Sequence, residues 1–191
     1  MRQIKTQKEI EKKQNRNKAI IAFVFIGLMV LSTAGFALFS GTGIGNENIR
    51  DYNGVEFSLN ENGYWEFQIQ GQNFQTSYTP EETEQISADF VSISEINGKP
   101  LYFFNSDASS LSEIVYNLGR YASRYQEVCL GGMPCNNPEN VVKTCDDNVI
   151  VFRESNESSV IREDNCIFLN SSPGNEVLVS NRLIFKALGV Q

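Results

Sequence analysis

Residues 19 to 39, Ala19-Ile20-Ile21-Ala22-Phe23-Val24-Phe25-Ile26-Gly27-Leu28-Met29-Val30-Leu31-Ser32-Thr33-Ala34-Gly35-Phe36-Ala37-Leu38-Phe39, form twenty-one consecutive positions without a charged or amide side chain. At a rise of about 1.5 Å per residue, a helix of this length matches the hydrocarbon core of a bilayer. The run therefore predicts one N-terminal transmembrane helix, and it divides the chain into a short leading segment, the anchor and a long remainder.

Charge sets the orientation of that anchor. Arg2, Lys5, Lys8, Lys12, Lys13, Arg16 and Lys18 precede it against only Glu9 and Glu11, and no charged residue follows it until Glu47. Cytoplasmic flanks carry the cationic excess. The expectation is a cytosolic basic segment over 1–18, a lipid bilayer partner for residues 19–39 and an extracytosolic remainder.

Two competing readings concern processing. Ser32-Thr33-Ala34 before Gly35 offers small residues to a signal peptidase, but the apolar run continues past them, which favours an uncleaved anchor. Lys18-Ala19 ahead of an apolar helix is similar to the processing site of archaeal pilin-like proteins, so a pilin-like or secretion-system subunit is one alternative. Those proteins extend the helix well beyond its apolar part. Here Gly41, Gly43 and Gly45 follow at once, and glycine at that density reads as a flexible tether over 40–46.

The remainder, 47–191, has the size of a single domain. Seven of the sixteen cations and two of the 23 anions precede the anchor, leaving nine against 21 beyond it, a net charge of −12. Such a surface repels phosphate backbones and excludes nucleic acid as a partner. The chain has no histidine, which removes the usual proton acceptor of serine and cysteine nucleophiles and a common ligand of catalytic zinc. Carboxylate pairs, lysine bases and oxygen-ligated cations remain open.

Four cysteines, Cys129, Cys135, Cys145 and Cys166, in an oxidising compartment predict two disulfides. Val149 to Arg153 and Ser159 to Ile161 are β-branched apolar runs around Ser155-Asn156-Glu157-Ser158, which reads as a hairpin. If Arg153 faces Ser158, antiparallel register sets Cys145 opposite Cys166 at disulfide distance. Cys129 then pairs with Cys135 around Gly131-Gly132. A four-cysteine zinc knuckle is disfavoured, since no two cysteines stand as close as zinc ribbons require.

The rest of the domain alternates strands and helices. Tyr52 to Leu59, Tyr64 to Gln70 and Asn73 to Tyr78 alternate apolar and polar residues and read as a β-meander, with Trp65, Phe67 and Ile69 on one face. Thr79, Pro80 and Glu82 carry the signature of a helix start. Pro100 to Phe104 reads as a strand. Leu111, Ile114, Val115, Leu118, Tyr121, Ala122 and Tyr125 fall at helical spacing, with Ser110 and Glu113 as a capping box. Cys166 to Leu169 resumes a strand, and Glu176 to Leu188 predicts a C-terminal helix closed by Gly189. The order predicts an α+β extracytosolic domain of meander, amphipathic helix, β-hairpin and C-terminal helix.

With the aromatic strands around Trp65 leading into Tyr78-Thr79-Pro80, then Asn165-Cys166-Ile167 and the ending Asn181-Arg182-Leu183-Ile184-Phe185-Lys186-Ala187-Leu188-Gly189, the chain resembles small single-pass membrane proteins of unknown function predicted in uncultured archaea. That resemblance implies no activity, cofactor or site residue.

Candidate chemistry is sparse, and each candidate has a plainer explanation. Glu56 and Glu66 on neighbouring strands suit a glycosidase-like carboxylate pair, but alternation turns Glu66 toward solvent. Asp146, Asp147 and Asn148 offer oxygen ligands without the spacing of a calcium loop, and shape a turn instead. Tyr102, Phe103 and Phe104, like Tyr116, Tyr121 and Tyr125, suit a ligand groove, although a core strand and a buried helix stripe also explain them. Asn156-Glu157-Ser158 and Asn170-Ser171-Ser172 are glycosylation sequons. No catalytic, cofactor or metal residue is assigned. The expected function is a membrane-anchored, non-enzymatic binding or interaction domain with an envelope or extracellular protein partner; the alternative from another class is a histidine-free, carboxylate-dependent hydrolase of envelope polymers.

Overall fold

The computed structural model describes Lys18, Ile20, Ile21, residues 24–29 and residues 48–191, and the chain divides into two units, Met1–Glu47 and Asn48–Gln191. In the first unit the described residues are helical, and Ile20, Ile21, Val24, Phe25, Ile26, Leu28 and Met29 are exposed. No helix among the described residues is long and apolar enough to cross a membrane. Most of the expected spans 1–18 and 19–39, and the whole tether 40–46, lie outside the described residues.

The second unit is α+β. It opens with an antiparallel meander of β1 (Ile49–Tyr52), β2 (Val55–Leu59), β3 (Trp65–Ile69) and β4 (Gln72–Thr76), in the spatial order β1-β2-β3-β4. The strand expected from Tyr52 to Leu59 is instead interrupted by a hairpin at Asn53-Gly54, where both residues have positive φ, 53° and 79°. Two left-handed residues in succession match the right-handed twist of the flanking strands, and Asn-Gly is the pair that adopts them most readily. The apolar face of the meander holds Phe57, Phe67 and Phe74, flanked by Trp65 and Ile69 as alternation predicts.

One-turn helices α1 (Pro80–Thr83) and α2 (Ile93–Ile96) flank the short β5 (Ser87–Ala88). In α1 the backbone amide of Thr79 donates to Glu82 Oε2 at 2.7 Å, so the predicted cap forms. Next come β6 (Pro100–Phe104), α3 (Ala108–Leu118), β7 (Arg124–Glu127), the two-residue strands β8 (Cys129–Leu130) and β9 (Val142–Lys143), β10 (Val149–Glu154), β11 (Ser159–Glu163), β12 (Cys166–Ser171) and α4 (Glu176–Leu188). The larger sheet runs β5-β11-β12-β10-β6-β7, with all neighbours parallel except β11 and β12.

Two expectations fail here. First, α3 begins one turn earlier and ends sooner than the spacing suggests. Its cap is Asp107, whose Oδ1 accepts from Ser110 N at 2.9 Å, in place of the predicted box at Ser110. It stops before Gly119, a weak helix former; Arg124 to Glu127 then extends along β6 as an edge strand. Tyr121 and Ala122 keep their core contacts from a turn, so their helical spacing is coincidental.

Second, β10 and β11 do not form a hairpin. β12 lies between them, parallel to β10 with Val149 facing Cys166 and antiparallel to β11 with Glu163 facing Cys166. The tight turn is at Asp164-Asn165, not at Ser155-Asn156-Glu157-Ser158, which carries the chain past β12. The cause is readable in β10: Val149, Ile150, Val151 and Phe152 are all buried, alternately facing two separate cores. A strand apolar on both faces belongs inside a sheet, not in a half-solvated hairpin.

The disulfides nevertheless pair as expected. Cys129 and Cys135 join with Cα atoms 5.4 Å apart, and Cys145 and Cys166 with Cα atoms 4.9 Å apart. Cys145 reaches Cys166 from the turn before β10, where Asn165 N donates to Cys145 O at 3.1 Å, and not across the hairpin that was expected.

The elements stack in layers. Helices α3 and α4 cover one face of the larger sheet through Ile114, Leu118, Val179, Leu183 and Ile184, and the cross-linked loop covers the other through Val128, Leu130 and Met133. On its opposite side α4 inserts Phe185 among Phe57 and Phe67, with ring centroids 6.0 and 5.8 Å away. One helix thus belongs to the cores of both sheets, and Gly189, at φ 73°, closes it.

Candidate functional site

Alternation along β2, β3 and β4 commits Phe57, Phe67 and Phe74 inward, which turns Glu56, Ser58, Glu66, Gln68 and Asn73 outward. Register then aligns them: Ser58 faces Glu66, Gln68 faces Asn73, and Asp51 faces Glu56 on β1. These outward side chains line a groove of about 490 Å³, with Tyr116 of α3 among its walls. Tyr116 is 47% exposed. The Arg120 guanidinium lies 5.0 Å from the Phe74 ring centroid and 5.8 Å from that of Tyr116, steadying the wall of the groove.

The structure therefore brings Glu56 and Glu66 into one groove, but not into a hydrolytic arrangement. Both are exposed on the solvated sheet face. Glu66 Oε1 accepts from Asn60 Nδ2 at 2.7 Å, while Glu56 accepts no hydrogen bond from the described residues. A general acid of a glycosidase needs an apolar enclosure that retains its proton; neither carboxylate has one. What the groove offers is a row of hydrogen-bond acceptors and amides beside an aromatic ring, which suits binding.

The most buried carboxylate among the described residues is Glu113, which helical spacing assigned to a capping box that does not form. Glu113 of α3 is 8% exposed and accepts from Ser77 N at 3.3 Å, from Ser77 Oγ and from Asn181 Nδ2. Ser77 and Glu113 also line a depression of about 420 Å³ with Tyr64, Tyr78, Ser109 and Ser112. Serine beside a carboxylate suggests a nucleophile and its base. The surroundings argue otherwise, because both carboxylate oxygens are tied into contacts between elements, Oε1 with Ser77 Oγ and Oε2 with Ser77 N and Asn181 Nδ2.

The network instead fastens the meander to the helices. Fully buried Asn117 mimics a strand: its Oδ1 accepts from Gln75 N at 3.0 Å and its Nδ2 donates to Gln75 O at 2.7 Å. Asn181 Oδ1 accepts from Tyr78 N at 2.9 Å. The available sequence signal was polar residues at positions of α3 and α4 that helical periodicity assigns to the core.

The remaining candidates are occupied by internal partners. Asp147 pairs with Lys143 at 3.0 Å, Asp146 Oδ2 accepts from Thr144 Oγ1 at 3.0 Å, and Asn148 Nδ2 donates to Pro100 O at 3.4 Å. The first two are turn contacts and the third ties that turn to the start of β6, and no cluster of three acidic or cysteine side chains suited to a metal occurs among the described residues. Phe103 belongs to the helix-side core, Tyr102 and Phe104 to the loop-side core, and Tyr125 is exposed on β7. Tyr121 donates from its hydroxyl to Gln72 Oε1 at 2.6 Å.

Tyr102 has an uncommon setting. Its hydroxyl accepts from Arg124 Nη2 at 2.9 Å, and Lys143 Nζ lies 4.6 Å from its ring centroid. The Arg124 hydrogen bond, with Lys143 adding to it against desolvation, holds the phenol below its ordinary value. Lys143 is raised, chiefly by Asp147. Arg182 of α4 is the opposite case, lowered by burial, with Nε unpartnered and Nη1 donating to Gln191 Oε1.

The two sequons differ in setting. Asn156 is exposed in the bend between β10 and β11, whereas Asn170 is half-buried in β12 and donates to Ser159 Oγ at 3.0 Å. Compared with known proteins, the chain matches no family model, no curated protein and no solved structure.

Proposed function

We propose that the chain is a single-pass membrane protein that displays a non-enzymatic binding domain outside the cytoplasm. Residues 19–39 are its anchor in the lipid bilayer, residues 1–18 its cytosolic flank, and the groove on the outer face of the meander its contact surface for an envelope or extracellular partner. The length of the apolar run and the cations before it support the location. The observation that carries the binding assignment is the convergence of Glu56, Ser58, Glu66, Gln68, Asn73 and Tyr116 on one groove of about 490 Å³. Polar groups beside an exposed aromatic ring hold a ligand without the buried acid and base that catalysis requires.

A photocrosslinking residue placed at Gln68 of the full chain in native membranes tests this. The expected result is a discrete adduct that is lost in the Glu56→Gln/Glu66→Gln variant. Absence of an adduct, or the same adduct from a crosslinker at Phe90, which is 78% exposed on a separate loop, overturns the assignment.

The hydrolase is the second reading, favoured by one observation, that Glu56 and Glu66 share the groove. Release of reducing ends from isolated envelope polymer by the wild type, abolished in either single Glu→Gln variant, would establish it over the binding reading.

A further inference from the structure

We propose that Asn156 is the acceptor of an N-linked glycan and that Asn170 is not, although both begin an Asn-x-Ser sequence. The inference rests on the extracytosolic location proposed above. Sequence does not separate the two sites; the fold does.

Transfer requires the acceptor tripeptide to enter the active site of an oligosaccharyltransferase, so its backbone must be free of a sheet and its amide free of other bonds. Asn156 meets both conditions. It lies in an exposed bend, outside any strand, and its side chain makes no hydrogen bond to the described residues. The neighbouring bonds, Ser155 N to Ser171 O at 2.8 Å and Glu157 N to Ser155 Oγ at 3.3 Å, involve neither its amide nor the Ser158 hydroxyl.

Asn170 meets neither. β12 is hydrogen-bonded on both edges, and Asn170 faces Arg153 on one side and Ser159 on the other. Its Nδ2, the atom to be modified, already donates to Ser159 Oγ at 3.0 Å. The next residue, Ser171, is 5% exposed. Extracting this tripeptide means unpairing an interior strand, whose opening free energy lies at the high end for a folded domain.

The step is a redox-neutral substitution. Asn156 Nδ2 forms a bond to the anomeric carbon of a lipid-pyrophosphate-linked oligosaccharide, the bond from that carbon to the phosphate oxygen breaks, and the lipid pyrophosphate leaves with the electron pair. The amide proton passes to a base of the transferase. Ser158 supplies the hydroxyl by which the transferase reads the tripeptide.

The test uses the folded full chain in detergent, a purified oligosaccharyltransferase and its lipid-linked oligosaccharide, read by peptide mass spectrometry. One glycan mass is expected on the Asn156 peptide and none on the Asn170 peptide. Asn156→Gln and Ser158→Ala abolish the shift, and Asn170→Gln leaves it unchanged. A bare Asn156, or transfer to Asn170 in the folded wild type, overturns the inference. Location is tested separately by an impermeant amine reagent applied to intact cells. A domain that accepts the glycan in detergent but is shielded in cells refutes the topology and upholds the acceptor.

Discussion

The meander leaves one face to solvent, whereas the larger sheet is covered on both, by α3 and α4 on one side and by the cross-linked loop on the other. The meander is built from pairs a few residues apart in sequence. The larger sheet joins strands from Ser87 to Ser171, most of them parallel. Local pairing stabilises a sheet that keeps a polar face free, and that free face carries the contact surface proposed above. Non-local pairing costs more loop-closure entropy, and two apolar faces with a covalent clamp offset it.

Three changes would sharpen or break this contrast. The largest effect belongs to the clamp. Replacing Cys145 and Cys166 by alanine removes a cross-link across a sequence separation of 21 residues, worth about 3 kcal/mol by loop entropy. Urea unfolding should show the larger sheet destabilised by that amount, and a loss no greater than that from the shorter Cys129 to Cys135 link would contradict the clamp.

Asn117→Ala comes next, at about 2 kcal/mol, because it strands the amide and carbonyl of Gln75 in a partly buried setting. Hydrogen exchange should accelerate at Gln75 and across β4 while β10 and β12 keep their protection. Uniform acceleration would mean that the two sheets do not open separately.

The smallest effect is confined to alkaline pH. The phenol of Tyr102 is lowered in the fold, so the stability it contributes is present above the unfolded value near 10 and lost as pH falls through the folded one; at neutral pH it contributes nothing. Tyrosinate absorbance should reveal one phenol ionising before the others, and Arg124→Gln should return it to the group. No early phase in the wild type would remove Arg124 from that role.

The same contrast decides what was legible in the sequence. Three of the four meander strands, their inward face, β6 and α4 followed from period and turn chemistry, because each of those signals acts over a few residues, whereas β1 was missed beyond the Asn53-Gly54 turn. The β10 to β11 hairpin did not, since turn residues at Ser155 to Ser158 look the same whether the chain reverses into the adjacent position or crosses a strand not yet reached. The better signal was the unbroken apolar run from Val149 to Phe152, which marks an interior strand. Of the groove, Glu56 and Glu66 were visible as a pair. Tyr116 was one of several aromatics suited to a groove, but only register and the docking of α3 join it with Gln68 and Asn73 there. The network of Ser77, Glu113, Asn117 and Asn181 spans more than a hundred residues, and no local pattern connects them.

Helix α4 presents a face to each sheet, and both need it to complete their cores: Leu183 and Ile184 close one, Phe185 the other. Neither sheet keeps its packing if those thirteen residues are displaced. The helix therefore couples the two halves: displacing it uncovers apolar surface on both sheets at once.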